Sequence, residues 1–328
     1  MEYRRLGASG LKVSPLVLGC MSFGESSRGS HEWTLNEEAS RPLIRSALEA
    51  GINFLDTANA YSNGSSEEIV GRAVKDFARR DELVIATKVF MAMREGPNGS
   101  GLSRKAIITE AEASLKRLGT DYIDLYQIHR WDPNSPIEET LEALDHLVKS
   151  GKVLHIGASS MFAWQFMKAL ALSGERGWSK FVSMQNYMNL IYREEEREML
   201  PLCVDQGVGV IPWSPLARGK LARPWSDEPT TTRDRTDKFS QMLYSHTRDA
   251  DKAVVDTVEA VSEKLGAPMS QVALAWLAQK PGVTAPIIGV TKPKHLDDAL
   301  AALALKLDDE TVKALEAPYV PHPVLGFG

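Results

Sequence analysis

The 328-residue sequence predicts an α/β fold, a (β/α)8 TIM barrel with an N-terminal hairpin and a long loop after strand 7. Eight short apolar runs rich in Val and Ile are interleaved with segments of helical period, the pattern of a parallel sheet buried on both faces. Six of the runs start 27 to 39 residues after the one before, close to the ~30 residues of a strand–helix–strand unit. Eight such units in one chain favour a closed barrel, with a doubly wound open sheet as the competitor.

In chain order, Tyr3-Arg-Arg-Leu-Gly7-Ala-Ser-Gly10-Leu-Lys-Val reads as two short strands around a turn, a hairpin placed to plug the N-terminal end of the barrel. The barrel strands are expected at Leu16–Gly19, Ile52–Ala58, Leu83–Val89, Tyr122–His129, Val153–Ser160, Phe181–Tyr187, Val208–Pro215 and Thr284–Val290. Thr34-Leu-Asn-Glu37, Ser65-Ser-Glu-Glu68 and Ser135-Pro-Ile-Glu138 have capping-box spacing, the last with Pro136 suited to the first helical position. Gly51, Gly119 and Gly151 fall where a left-handed residue ends a helix. The last two strands start 76 residues apart. That gap holds Pro224–Arg248, polar enough for a long surface loop, and two helices at Asp251–Leu265 and Ser270–Gln279. The whole chain, residues 1–328, reads as one barrel domain.

Composition narrows the function. Lys and Arg number 38 against 43 Asp and Glu, a net charge of −5 that leaves no basic surplus for a phosphate backbone, so no nucleic-acid partner is expected. Cys20 and Cys203 match no metal or disulfide spacing, and no metal site is expected. There is no signal-like N-terminal apolar segment and no stretch of 18 apolar residues, so the expectation is a cytoplasmic protein with no membrane partner.

Barrel active sites form at the C-terminal ends of the strands. The second strand closes with Asp56-Thr-Ala-Asn-Ala-Tyr61, the third with Thr87-Lys88 and the fourth with Gln127-Ile-His129. Each has an ordinary reading: Asp56 as a loop cap, Tyr61 as a turn aromatic, Lys88 in a structural pair with Asp56, His129 as a bonded core residue. Their co-occurrence at successive strand ends points instead to a proton donor. A free phenol, pKa about 10, is too weak an acid at neutral pH; a nearby ammonium lowers it, and a buried carboxylate keeps that ammonium charged. His129 could then hold the substrate oxygen near Tyr61.

At these residues the chain resembles the aldo-keto reductase superfamily, whose tetrad is Asp, Tyr, Lys and His on a (β/α)8 barrel. Asp56 through Gly71 looks like the family's D-x-A-x-x-Y segment with its following G-x-S-E-E-x-x-G. Ile156-Gly-Ala-Ser159-Ser, Gln185-Asn-Tyr, Trp213-Ser-Pro-Leu-Ala217 and Ile288 through Asp298 look like its cofactor-binding stretches. The resemblance implies NADPH (NADP when oxidised) lying across the barrel mouth without a Rossmann domain. No G-x-G-x-x-G follows a strand, and Gly96 through Gly101 lacks the Lys-Ser/Thr of a P-loop.

By matching position, Trp213 stacks on the nicotinamide while Ser159 and Gln185 bond its carboxamide. Ser214, Leu216 and Ala217 hold the pyrophosphate, with Arg218, Lys220 and Arg235 as candidate phosphate clamps. Thr291, His295 and Asp298 fall in the last cofactor stretch. There the family often carries Ser, Arg or Gln, and Glu; His295 in place of Arg weakens a strict NADP(H) preference, although Lys292 and Lys294 are near. Ser160 stands where the family often has Asn.

Gly19 through Gly24, Gln127 through Pro133 and Gly157 through Trp164 resemble the aryl-alcohol dehydrogenase-like and versiconal-reductase-like branch, which favours aldehydes and aromatic carbonyls. Phe23, Phe90 and Trp131, with Trp33, are candidates for an aromatic substrate pocket. The reading is therefore an NADPH-dependent reductase of small-molecule aldehydes or ketones, with monomer as the family default. The alternative is a redox-sensing interaction subunit resembling potassium-channel β subunits, which share Trp-Ser-Pro-Leu-Ala; His129, where those typically carry another residue, favours turnover. A metal or phosphate-handling hydrolase has no ligand cluster or nucleophile motif behind it.

Overall fold

The computed structural model describes residues 1–328 except Ser30, Asp227, Pro229, Thr230, Ser245, His246 and Gly328. Ten strands are formed among the described residues: β1 (Arg4–Arg5), β2 (Lys12–Val13), β3 (Val17–Gly19), β4 (Phe54–Asp56), β5 (Val84–Val89), β6 (Ile123–Ile128), β7 (Val153–Ser159), β8 (Phe181–Gln185), β9 (Gly209–Val210) and β10 (Ile287–Gly289). Strands β3 to β9 pair in parallel in chain order, and β10 pairs with β3. Thr284 N–H donates to Val210 O at 2.8 Å and Ile287 N–H to Pro212 O at 2.9 Å, joining the two edges into a barrel. Every expected barrel strand is present.

The hairpin of β1 and β2 is antiparallel and buries Leu6 and Val13 against Val17, Phe54, Val84, Leu125 and Ile211 inside the barrel. Ala8 N–H donates to Gly207 O at 2.7 Å, which fixes the plug to the lower rim. Helices ring the sheet, and their apolar faces form the larger core.

The helix starts differ from expectation. The first helix begins at Glu37 with Asn36, not Thr34, accepting the Ala39 N–H. Ser65 is the first residue of its helix, capped by left-handed Gly64, and its hydroxyl bonds Ser62 O instead. Pro136 is the N-cap of Ile137–Lys149, and Ser135 donates to Asp132. The expected loop Pro224–Arg248 contains two short helices, Thr232–Thr236 and Lys238–Tyr244; positions 227, 229, 230, 245 and 246 fall outside the described residues. The two long helices that follow are Arg248–Leu265 and Met269–Gln279.

The tail is tied to the barrel top. His322 Nε2 meets Asp251 Oδ1 at 2.9 Å, and Leu325 N–H donates to Tyr192 OH at 3.1 Å. Gly326 backs onto Trp213, where a methyl group would sit 3.0 Å from Cζ2, and Phe327 meets Phe162 edge-on at 4.9 Å.

One buried acid makes stability depend on pH. Glu195 is 4 % exposed and among the described residues is bonded only by Asn186 Nδ2, at 3.4 Å, so burial pushes its pKa up to about 8. Between the ordinary value of 4.5 and about 8 the folded chain keeps a proton that the unfolded chain releases, so stability falls as pH rises through that window. Glu195→Gln is expected to raise the melting temperature at pH 8 and to leave it nearly unchanged at pH 4.5.

Candidate active site

The four predicted proton-handling residues meet at the C-terminal mouth of the barrel. Asp56 ends β4, Lys88 lies in β5, and His129 follows β6. Tyr61 opens a tight turn in which Ser62 and Asn63 are left-handed, φ 44° and 48°, followed by Gly64 at 88°. Consecutive non-glycine residues in that region store strain, which the surroundings must hold in place. Arg28 does so from outside, donating to Asn63 O at 2.8 Å while pairing with Glu68.

Lys88 is fully buried, and its ammonium touches three oxygens: Asp56 Oδ2 at 2.7 Å, Thr57 O at 2.8 Å and Tyr61 OH at 3.1 Å. The other carboxylate oxygen of Asp56 accepts from Gln127 Nε2 at 3.0 Å and Gln185 Nε2 at 2.9 Å. Asp56 is thus neutralised and saturated with donors, as a buried carboxylate must be. The register explains the gathering. Lys88 lies opposite Gln127 and Gln127 opposite Gly157, and a Cβ at Gly157 would come within 3.1 Å of Gln127 Cγ, so the glycine leaves room for that amide.

Burial alone would lower the Lys88 pKa, but Asp56 and Tyr61 outweigh it and raise the value, so the ammonium stays charged. The Tyr61 phenol moves opposite to expectation. Its burial is the largest effect and raises its pKa above the ordinary 10.0, although Lys88 and Arg130 pull it down. The resting group is therefore a fully protonated phenol held against a permanent cation. Burial, with Lys88 and Arg130 nearby, holds His129 well below its ordinary 6.5, so the imidazole is neutral. Its ring stands edge-on to Tyr61 at 5.9 Å, and its Nδ1 is buried without a hydrogen-bond partner.

The residues expected at a dinucleotide fall at the ends of β7 and β8 and in the segments after β9 and β10. Trp213 stacks on Tyr187 at 4.5 Å and donates from Nε1 to Ser160 Oγ at 3.1 Å; Ser159 Oγ is 3.4 Å from that hydroxyl. Ser160 is left-handed, φ 47°, a conformation that Asn tolerates better than Ser. Ser214, Ala217 and Arg218 are also left-handed, at φ 55°, 46° and 56°. Lys220 stands over Trp225 and Tyr244 at 5.1 and 5.3 Å, and burial lowers its pKa. Among the described residues no carboxylate pairs with it. A strained backbone run beside a half-buried cation without an acid fits an anionic, phosphate-bearing cofactor.

Other predicted residues are placed differently. Arg218 is not free for phosphate: its guanidinium is paired with buried Asp237, which also holds Arg233 at 3.2 Å. Gln185 turns its amide nitrogen to Asp56. His295 and Lys292 are exposed, and His295 Nδ1 lies 3.3 Å from the Thr291 hydroxyl. Asp298 is engaged by Lys294, Ser270 and Gln271. Arg235 is exposed on the loop, and Leu216 is half-buried. Phe23 is no pocket residue: it is fully buried in the core, bridged to Leu35. Phe90 and Trp131 are half-buried above the strand ends, with Trp131 6.3 Å from Trp164. Sequence reasoning assigned no role to Gln127, Arg130, Arg233 or Asp237. Among the described residues no group of His, Cys, Asp and Glu could hold a metal, and no helix is long and apolar enough to cross a membrane.

Residues 15–319 match the model of the aldo/keto reductase family. The chain is 47% identical to versiconal hemiacetal acetate reductase of Aspergillus parasiticus, over 99% of this chain and 98% of that protein. It is 44% identical to a putative aryl-alcohol dehydrogenase of Schizosaccharomyces pombe, over 99% and 97%, and 43% identical to the aldo-keto reductase AMT2 of Alternaria alternata, over 99% and 93%. With the family's barrel and matches running nearly end to end, this chain belongs to the aldo/keto reductase family, a family of oxidoreductases.

Proposed function

We propose that the chain reduces aldehydes and ketones to alcohols with NADPH, Tyr61 giving a proton to the carbonyl oxygen. The observation that carries this reading is the Lys88 ammonium, which touches the Asp56 carboxylate and the Tyr61 phenol at once. NADPH, when bound, supplies the hydride that reaches the carbonyl carbon. Trp213, Ser159 and Gln185 would hold the nicotinamide. Ser214, Leu216, Ala217 and Lys220 would hold the pyrophosphate, and Thr291, His295, Lys292 and Lys294 the adenosine end.

Neutral His129 hydrogen-bonds the substrate oxygen and keeps it beside the Tyr61 hydroxyl. As Tyr61 loses its proton, negative charge forms against an ammonium already in place, so no reorganisation is needed at that moment. Asp56 and the two glutamines keep Lys88 charged and fixed. Phe90, Trp131 and Trp164 offer apolar walls suited to aromatic or small aliphatic carbonyls, as the aryl-alcohol dehydrogenase relative's name supports.

The test is NADPH oxidation with aromatic and aliphatic aldehydes, followed by cofactor absorbance across pH. Turnover is expected, faster with NADPH than with NADH. kcat/KM for reduction should be flat between pH 6.5 and 10.0, because His129 titrates below that window and Tyr61 above it. Cofactor binding without turnover would instead support a redox-sensing subunit.

A further inference from the structure

Among the described residues Arg130, at the barrel mouth, has no counter-charge. Arg130 follows His129 and is 7 % exposed. Its Nη1 donates to the His129 carbonyl at 2.6 Å, and its Nε is buried with no hydrogen-bond partner. Among the described residues no carboxylate lies within ion-pairing distance. The neighbouring acids are committed elsewhere. Asp56 is held by Lys88, Gln127 and Gln185. Asp132 accepts from the Leu102 and Asn134 N–H groups and the Ser135 hydroxyl.

A guanidinium carries five N–H donors, and a buried one without a counter-ion is costly to the fold. Its charge is nonetheless felt by the reacting groups, since it lowers the pKa of both His129 and Tyr61. Lys88 and Asp56 cancel, so Arg130 leaves the mouth with a net positive charge next to the carbonyl position. The rim above is aromatic: Trp131 lies against Trp164, and Phe162 against Phe327.

We propose that Arg130 is a specificity-determining residue that receives a carboxylate of the substrate, so that the site prefers carbonyl compounds with an apolar body and a carboxylate close to the reacting carbonyl. The proposal rests on the reductase reading. The planar fork offers a carboxylate two parallel N–H···O bonds, which fixes the carbonyl's direction as well as adding affinity. His129 and Tyr61 remain free for the carbonyl oxygen.

Benzoylformate and its methyl ester share ring and ketone and differ in charge. Both are compared as substrates with NADPH in the wild type, Arg130→Lys and Arg130→Met. Arg130→Met is expected to lower the ratio of kcat/KM for benzoylformate to that for its methyl ester about 100-fold, the loss of a charge-assisted bond, while any change that both substrates share reports the effect of Arg130 on Tyr61 and His129. Arg130→Lys should fall between, since a point charge lacks the fork. Benzoate binding to the NADP-loaded protein, read by titration calorimetry, should weaken with the same ranking. Parallel loss on both substrates with benzoate binding intact overturns the proposal and assigns Arg130 to folding or to tuning Tyr61. If neither these ketones nor plain aldehydes are reduced by the wild type, the reductase reading fails instead, and the benzoate ranking still decides for or against the Arg130 site.

Discussion

Tyr61→Phe is expected to lower kcat for aldehyde reduction by ~10² to 10⁴ while the melting temperature stays near that of the wild type. The substitution removes one oxygen and keeps the ring edge-on to His129. Lys88 loses its 3.1 Å contact with the hydroxyl but retains Asp56 Oδ2 and Thr57 O, so no buried charge is left alone. The fold has little reason to respond. The loss belongs in kcat more than in KM, because the proton moves only in the transition state. Steady-state kinetics beside thermal melts separate the two, and an unchanged kcat would remove Tyr61 from the chemistry.

The second large effect concerns the buried pair. Asp56→Leu leaves the Lys88 ammonium without its counter-charge and two glutamine amides without their shared acceptor. Breaking one partner of such a pair costs about 3–5 kcal/mol, whereas replacing both with apolar residues is often close to neutral. Asp56→Leu alone should therefore unfold at markedly lower urea. The double variant Asp56→Leu with Lys88→Met should recover most of that stability and none of the activity. A double variant that also regains turnover would make the pair purely structural.

The strand sites were legible because Val- and Ile-rich runs at regular spacing leave few alternatives to a parallel barrel. The second and eighth strands are shorter than expected, at Phe54–Asp56 and Ile287–Gly289, and the seventh shrinks most, expected over Val208–Pro215 and formed at Gly209–Val210. Pro212 and Pro215 have no N–H for a ladder, and Ser214 turns left-handed to begin the loop toward Arg218. At the first helix Thr34 and Asn36 are both competent caps, and it is Asn36 that accepts the Ala39 N–H. The helices at Thr232–Thr236 and Lys238–Tyr244 are too short for a periodic signal.

At the site, convergence of three successive strand ends, carrying four proton-handling residues, was readable from topology. Gln127 was readable too, since it precedes His129 by two residues and alternation puts both on one face. What no local pattern could supply was long-range pairing. Asp237 answers Arg218 from a separate short helix, and a core position for Phe23 looks in sequence like a pocket wall. The Tyr61 shift turns on how completely the phenol is buried, a property of the assembled mouth.

The most direct measurement is the isotope content of the alcohol formed from an unlabelled aldehyde and NADPH carrying deuterium at both nicotinamide C4 positions. The account predicts one deuterium on the carbinol carbon with the wild type, and almost no alcohol with Tyr61→Phe. Unlabelled alcohol, or labelled alcohol formed equally fast by the variant, would contradict it.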